Sequence, residues 1–139
     1  MLRLECTTKT FRPVDFGQVR WLDWEHDFGL AQDFWPPDKP LTRDVWDGAR
    51  RDGYRYCAIV LEGHIASMAA RYCYSAQEWM VAAVATSTPF RRRGLAKSVV
   101  SFVTDDMLSS GRLATCFTAE DNVAMVRTAE SVGFRTVRT

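Results

Sequence analysis

Three consecutive arginines followed by a glycine, Arg91-Arg92-Arg93-Gly94-Leu95-Ala96, form the stretch of this sequence best equipped for chemistry. Upstream, Trp79 to Ala85 is apolar at both parities, as in a strand covered on both faces. Pro89, with no N–H to give a ladder, then stops the strand. Downstream, Leu95, Val99, Phe102, Val103 and Met107 fall at helical spacing on one face, with Lys97, Ser101, Thr104 and Asp105 elsewhere. A strand that delivers a glycine-containing turn to a helix start makes an anion site. The first helical N–H groups are unpaired, the helix dipole is positive there, and Gly94 lets a ligand approach the main chain. The competing reading is a solvated basic turn without a ligand. A nucleic-acid patch is not expected, because three charges without interleaved aromatics in a chain of net charge +1 give no extended cationic surface. Neither G-x-G-x-x-G nor G-x-x-x-x-G-K-[ST] occurs, so dinucleotide and P-loop sites have no support.

A sheet and its covering helices must position that turn. At 139 residues the chain suits one domain, 1–139, with one core. Its 47% hydrophobic and 25% charged residues are ordinary for a globular fold in water. No 18-residue apolar run or signal-peptide pattern occurs, so no membrane partner is expected. Cys6, Cys57, Cys73 and Cys116 are widely spaced without C-x-x-C, and three sit in apolar, strand-like runs. Buried free thiols are expected rather than disulfides or a zinc site, and with them a cytoplasmic location.

In chain order, Leu2, Leu4 and Cys6 alternate as in a short edge strand. Pro13 and Asp15 mark a helix start with Phe16, Val19 and Leu22 on one face, and Gly29 and Pro36-Pro37 break it. A second helix is predicted over 43–51, with Thr42 as N-cap and Gly53 past its end. Residues 54–86 read as an antiparallel meander: a strand from Tyr54 to Leu61, a Glu62-Gly63 turn, a return strand from His64 to Tyr74, then the central strand. Gly111 closes the helix that follows. Leu113 to Thr118 is a buried strand, parallel to 79–86 because a helix crosses between them. Asp121 or Asn122 caps a helix to about Val132, Gly133 ends it, and Phe134 to Val137 begins a last strand.

Arg91-x-x-Gly94-x-Ala96 resembles the Gln/Arg-x-x-Gly-x-Gly/Ala signature of the GCN5-related N-acetyltransferases. Asn122-Val-Ala-Met-Val-Arg-Thr-Ala-Glu-Ser-Val-Gly-Phe134 is similar to that family's Asn…Gly-Phe segment. The resemblance implies an α/β fold, a mixed twisted sheet with helices on both faces. It also implies that acetyl-coenzyme A is bound with its pyrophosphate on Arg91, Arg92, Arg93, Gly94, Leu95 and Ala96. The implied reaction is acetyl transfer to a primary amine, small or on a protein, with backbone N–H groups of Val84, Ala85 and Thr86 as oxyanion donors. Asn122 either contacts the pantetheine arm or caps its helix. An amine with pKa about 10.4 must lose a proton before it attacks. Glu78 is the best-placed base, direct or through water, one strand period upstream of where some family members carry a glutamate and so on the same face; the competing reading is a solvated carboxylate at a strand start. Glu62 and His64 are weaker alternatives, and Asp33, Asp38, Asp44 and Asp47 could suit a cationic acceptor.

Two departures bear on activity. Many members carry a tyrosine seven residues after the asparagine, as acid towards the leaving thiolate; this chain has Ala129. A thiol of pKa about 8.5 can leave without help, but more slowly. The alternative is an acyl-coenzyme A-binding regulatory or catalytically impaired module, and from another class a βαβ domain without a ligand. Ala129-Glu130-Ser131-Val132-Gly133-Phe134 resembles subgroups of the family that include acetylators of protein N-termini. Only five residues follow Phe134, where the family usually adds two strands that wall the acceptor pocket. The acceptor side is therefore open, completed by a partner in a homodimer, or cut short. Four of the five tryptophans lie within residues 21–46, and read either as cover for a sheet face or as the wall of an acceptor pocket.

Overall fold

The computed structural model describes residues 1–137, and these form seven strands and four α-helices. They are β1 (Leu2–Cys6), β2 (Arg20–Trp21), α1 (Phe28–Phe34), α2 (Arg43–Arg51), β3 (Tyr54–Leu61), β4 (His64–Tyr72), β5 (Glu78–Thr86), α3 (Leu95–Ser109), β6 (Leu113–Thr118), α4 (Val123–Val132) and β7 (Arg135–Thr136). One mixed sheet runs in the order β2-β3-β4-β5-β6-β1-β7, and only β5 and β6 pair in parallel. The parallel pair requires a crossover, and α3 supplies it.

Local chemistry explains the elements that match expectation. In the β3–β4 turn, Glu62 and Gly63 both have positive φ, as a two-residue hairpin turn matched to strand twist requires. Thr42 Oγ1 accepts the Val45 N–H, and Asn122 Oδ1 accepts the Met125 N–H, so α2 and α4 each begin on a side-chain cap. Gly133 ends α4 at φ +113°, and a Cβ there would collide with the Thr10 carbonyl, so both conformation and space demand glycine.

Two expectations are corrected. The segment from Asp15 to Asp27 is not helical, and α1 is only seven residues long and contains Gly29. Carboxylates bond the local backbone instead: Asp15 accepts from Gly17 N–H, Asp23 from Glu25 and His26, and Asp27 from Asp23. These bonds compete with a helix, so Val19 and Leu22 reach the core from an irregular chain. β1 is not an edge strand: it lies between β6 and β7, antiparallel to both, and continues the sheet beyond β6. Ser101 and Thr104 of α3 are buried, and residues 14 and 15 bond to the helix at Ser101 and Ser98. Ser101 Oγ accepts the Val14 N–H and Ser98 Oγ donates to the Asp15 carbonyl.

The core has two parts, one on each sheet face. Val99, Val103 and Met107 of α3 and Val132 of α4 pack with Val81, Ala114 and Phe134 on one face. On the other, α1 and α2 close over Tyr56, Ala58, Met68 and Ala70. Trp46 anchors that second part, 1% exposed, stacked on Tyr56 at 5.4 Å and donating its indole N–H to the Trp24 carbonyl at 2.7 Å. Trp46 is therefore core, with Trp24 and Trp35 edge-on against it.

Candidate functional site

β5 is paired along only part of its length on the side of β6. Pairing runs from Glu78 with Leu113 to Val81 with Cys116 and then stops, although the strands continue to Thr86 and Thr118. On its other side β5 carries a bulge. Ala82 pairs with Ala70 and Ala85 with Met68, so Ala83 and Val84 together oppose Ala69. Ala83 takes φ +52°, a strained value for a residue with a Cβ. The bulge and the lost pairing leave the β6-facing backbone groups between Ala82 and Thr86 without a ladder partner. A cleft of about 390 Å³ occupies the gap, walled by Val81 to Thr86, by Cys116, Phe117 and Thr118 of β6, and by Asn122, Ala124, Met125 and Thr128 around α4.

A second space of about 350 Å³ lies over the basic turn and is lined by Phe90, Arg91, Arg92, Gly94, Leu95 and Lys97. Thr86, Ala96, Ala124 and Thr128 line both, so the two are one groove from the start of α3 to the gap between β5 and β6. Gly94 is the N-cap of α3 at φ +74°, and among the described residues no side chain caps this helix. Its first-turn N–H groups are thus left for a ligand. A Cβ on Gly94 would meet nothing within 4 Å, so glycine serves the left-handed turn and an open approach rather than close packing. Arg92 is left-handed too, at φ +65°, and turns of this kind make anion-binding concavities. Arg91 Nε donates to the Thr86 carbonyl at 3.1 Å and fastens the turn to the end of β5. Arg92 and Arg93 are exposed, with Arg93 over the Phe90 ring. These residues fit a diphosphate: unpartnered N–H groups, room at the glycine, and flanking charge.

The structure brings Val84, Ala85, Thr86, Arg91, Arg92, Gly94, Leu95, Ala96 and Asn122 to this groove; Arg93 stands beside it. Asn122 both caps α4 and faces the groove. Glu78, the expected base, is not among the residues lining the groove. It lies at the foot of β5, roughly 16 Å along the strand from Ala83. Arg3 Nη1 and Nη2 donate to its two oxygens at 3.1 and 2.8 Å, and the Tyr74 hydroxyl donates to Oε1 at 2.6 Å. The Arg3 bonds first, and Tyr74 second, hold its carboxyl below the usual carboxylate range. A carboxylate so engaged clamps β5 to β1. His64 pairs with Asp33 at 2.8 Å, and neither it nor Glu62 lines the groove.

No carboxylate or imidazole is among the residues lining the groove. Cys116 is there, but burial pushes its thiol up to about 11, so it stays a neutral thiol at pH 7. Ala129 is fully buried in the core, while Thr128 beside it faces the groove. Thr118, Met125 and Thr128 were not anticipated from sequence. Met125, Ala129 and Val132 fall at i, i+4 and i+7 on α4, with Thr128 beside them, and that spacing is the signal that could have identified Met125 and Thr128. Among the described residues no group of three potential metal donors occurs, and no helix is long and apolar enough to cross a membrane.

Comparison with known proteins agrees with this architecture. The family model for the acetyltransferase (GNAT) family matches residues 17–134. Among solved structures, an acetyltransferase of the GNAT family from Novosphingobium aromaticivorans has a TM-score of 0.78 at 24% identity, over 99% of this chain and 59% of that one. The chain thus spans about three fifths of that relative's length. AAC(6')-Iy, solved with the bisubstrate analogue CoA-S-monomethyl-acetylneamine, has a TM-score of 0.64 at 19% identity, over 87% of this chain and 92% of that one. An acetyltransferase of Trypanosoma brucei has a TM-score of 0.66 at 17% identity, over 87% and 94%. A search of curated proteins gives no match. With more than half of its length matched by the family model and the fold shared with these structures, the chain belongs to the GNAT acetyltransferase family.

Proposed function

We propose that the chain is an acetyl-coenzyme A-dependent N-acetyltransferase acting on a primary amine. The observation that carries this reading is the continuity of the groove, from the uncapped first turn of α3 to the unpaired stretch of β5. In this reading the N–H groups at Gly94, Leu95 and Ala96 take the pyrophosphate, and Arg92 and Arg93 add screened charge. Asn122 and Thr128 flank the pantetheine arm. Bound there, the cofactor would supply an activated thioester. Backbone N–H groups between Val84 and Thr86 are fixed by the bulge and are placed for charge that develops on a carbonyl oxygen.

Proton handling follows from what the groove lacks. With no base in its walls, the amine gives its proton to water, and the neutral fraction at pH 7 is about one part in a few thousand for an ordinary amine. The rate should therefore rise steadily with pH between 6 and 9, without the plateau that a tuned base would produce. With Ala129 in place of an acid, the thiolate leaves unassisted.

Thioester consumption measured with a panel of small amines and peptides tests the reading. Amine-dependent release of free thiol is expected, and its loss in Gly94→Glu. The second reading is an acyl-coenzyme A-binding module without turnover, favoured by Ala129 and by the absence of a carboxylate or imidazole from the groove lining. Cofactor binding with no amine-dependent consumption across the panel would select it.

A further inference from the structure

At the other end of β5, on the face covered by α3, aromatic and cationic side chains interleave across four neighbouring strands and the residue before a fifth. Trp21 of β2, Arg55 of β3, Arg71 of β4, Trp79 of β5 and Arg112, just before β6, form a row. The Arg55 guanidinium lies 4.3 Å from the Trp21 ring centre, and Arg71 lies 5.3 Å from Trp21 and 5.0 Å from Trp79. Arg112 lies 4.9 Å from Trp79. None of the five is fully buried. Stacking fixes a guanidinium by its faces and leaves its edge donors to bond in plane.

Those donors are poorly used. Arg71 bonds Asp106 at 2.8 Å and Arg112 bonds the Ser110 carbonyl at 2.8 Å. Among the described residues no side-chain bond of Arg55 is present, and the Nε–H groups of Arg71 and Arg112 are buried without an acceptor. Arg55 and Arg71 are direct cross-strand partners, an arrangement that repels. Burial, and then the charge of Arg71, lower the pKa of Arg55 from its ordinary value. Three guanidiniums thus share one carboxylate. A core that only needed packing would not require three cations here.

We propose that this row is a second oxyanion site, distinct from the groove, for a ligand bearing phosphate or multiple carboxylate groups. An oxyanion seated against Arg55 gives its unused donors an acceptor, offsets the repulsion with Arg71, and matches the guanidinium fork. The row stands roughly 23 Å along β5 from Thr86. Its one carboxylate, Asp106, is on the last turns of the helix whose first turn faces the groove.

Calorimetric titration with pyrophosphate at fixed ionic strength tests the site. The turn at Gly94 is itself proposed to take a diphosphate, so the Gly94→Glu background separates the two. In that background pyrophosphate should still bind, and adding Arg55→Gln or Arg112→Gln should weaken it at least tenfold, with Arg55→Lys restoring only part because it lacks the fork. Citrate in the same series tells whether carboxylates serve as well, and heat from either probe that is lost with Arg55 upholds the site. Circular dichroism identical to the parent is the condition for reading each variant, and Arg112→Gln stands in where Arg55→Gln does not fold. No heat from either probe in Gly94→Glu, or heat unchanged by both arginine substitutions, would overturn the proposal.

Discussion

The two ends of β5 are built on opposite principles. At its C-terminal end the strand is unpaired towards β6, bulged at Ala83, and walled by small or apolar side chains and hydroxyls. What it offers a ligand is mostly main chain. At its N-terminal end the same strand is paired with β6, and its Glu78 carboxylate is tied to Arg3 and Tyr74. Backbone that is left unpaired is a binding surface, whereas side-chain charge that is already paired is scaffold. That contrast is why Glu78, the residue with the most obvious chemistry on the strand, is assigned to the framework.

Substitutions can break or sharpen this contrast. The largest effect is expected from Gly94→Glu, which places a carboxylate and a strained φ where N–H groups await an anion; calorimetry should show at least a 100-fold loss of acetyl-coenzyme A affinity, with modest loss of stability. At the scaffold end the pattern should invert. Arg3→Ala leaves Glu78 and Glu5 without their fork and should cost about 1.5–3 kcal/mol in urea unfolding, while cofactor affinity stays within about twofold of the parent. Asn122→Ala sits between the two regimes: loss of the cap should cost about 1 kcal/mol, with a few-fold weaker cofactor binding. The smallest effect on rate is expected from Glu78→Gln, under threefold in kcat, where a true base would lose 100-fold or more.

The same variant checks the linkage. The folded-state pKa of Glu78 is depressed, so its stabilisation is present above the unfolded carboxylate value and is lost as pH falls through the folded one. The parent should therefore lose stability more steeply than Glu78→Gln below about pH 4.5.

Much of this architecture was legible because its signals are local. Thr42 before α2, Glu62-Gly63 between β3 and β4, Asn122 before α4 and Gly133 after it each act within a few residues of themselves. The Arg91 to Ala96 turn is of the same kind. What was not legible depends on partners far away in sequence. Glu78 is engaged by Arg3, 75 residues distant and across β6. β1 alternates like any short strand, and nothing within it says that it lies between β6 and β7. The stretch from Asp15 to Asp27 carries helical spacing at Phe16, Val19 and Leu22, but its aspartates bond backbone N–H groups and override the pattern. The walls at Thr118 and Thr128 exist only because β5 and β6 diverge, and no single strand encodes a divergence.

The central claim, that the groove ending at the Gly94 turn is the acetyl-coenzyme A site, is tested most directly by the melting temperature with and without the cofactor. At about 100 times its dissociation constant the cofactor should add about 2.7 kcal/mol, a rise of several degrees at roughly 2–8 °C per kcal/mol. The same addition should leave Gly94→Glu unmoved. An unshifted parent, or an equal rise in parent and variant, would contradict the assignment.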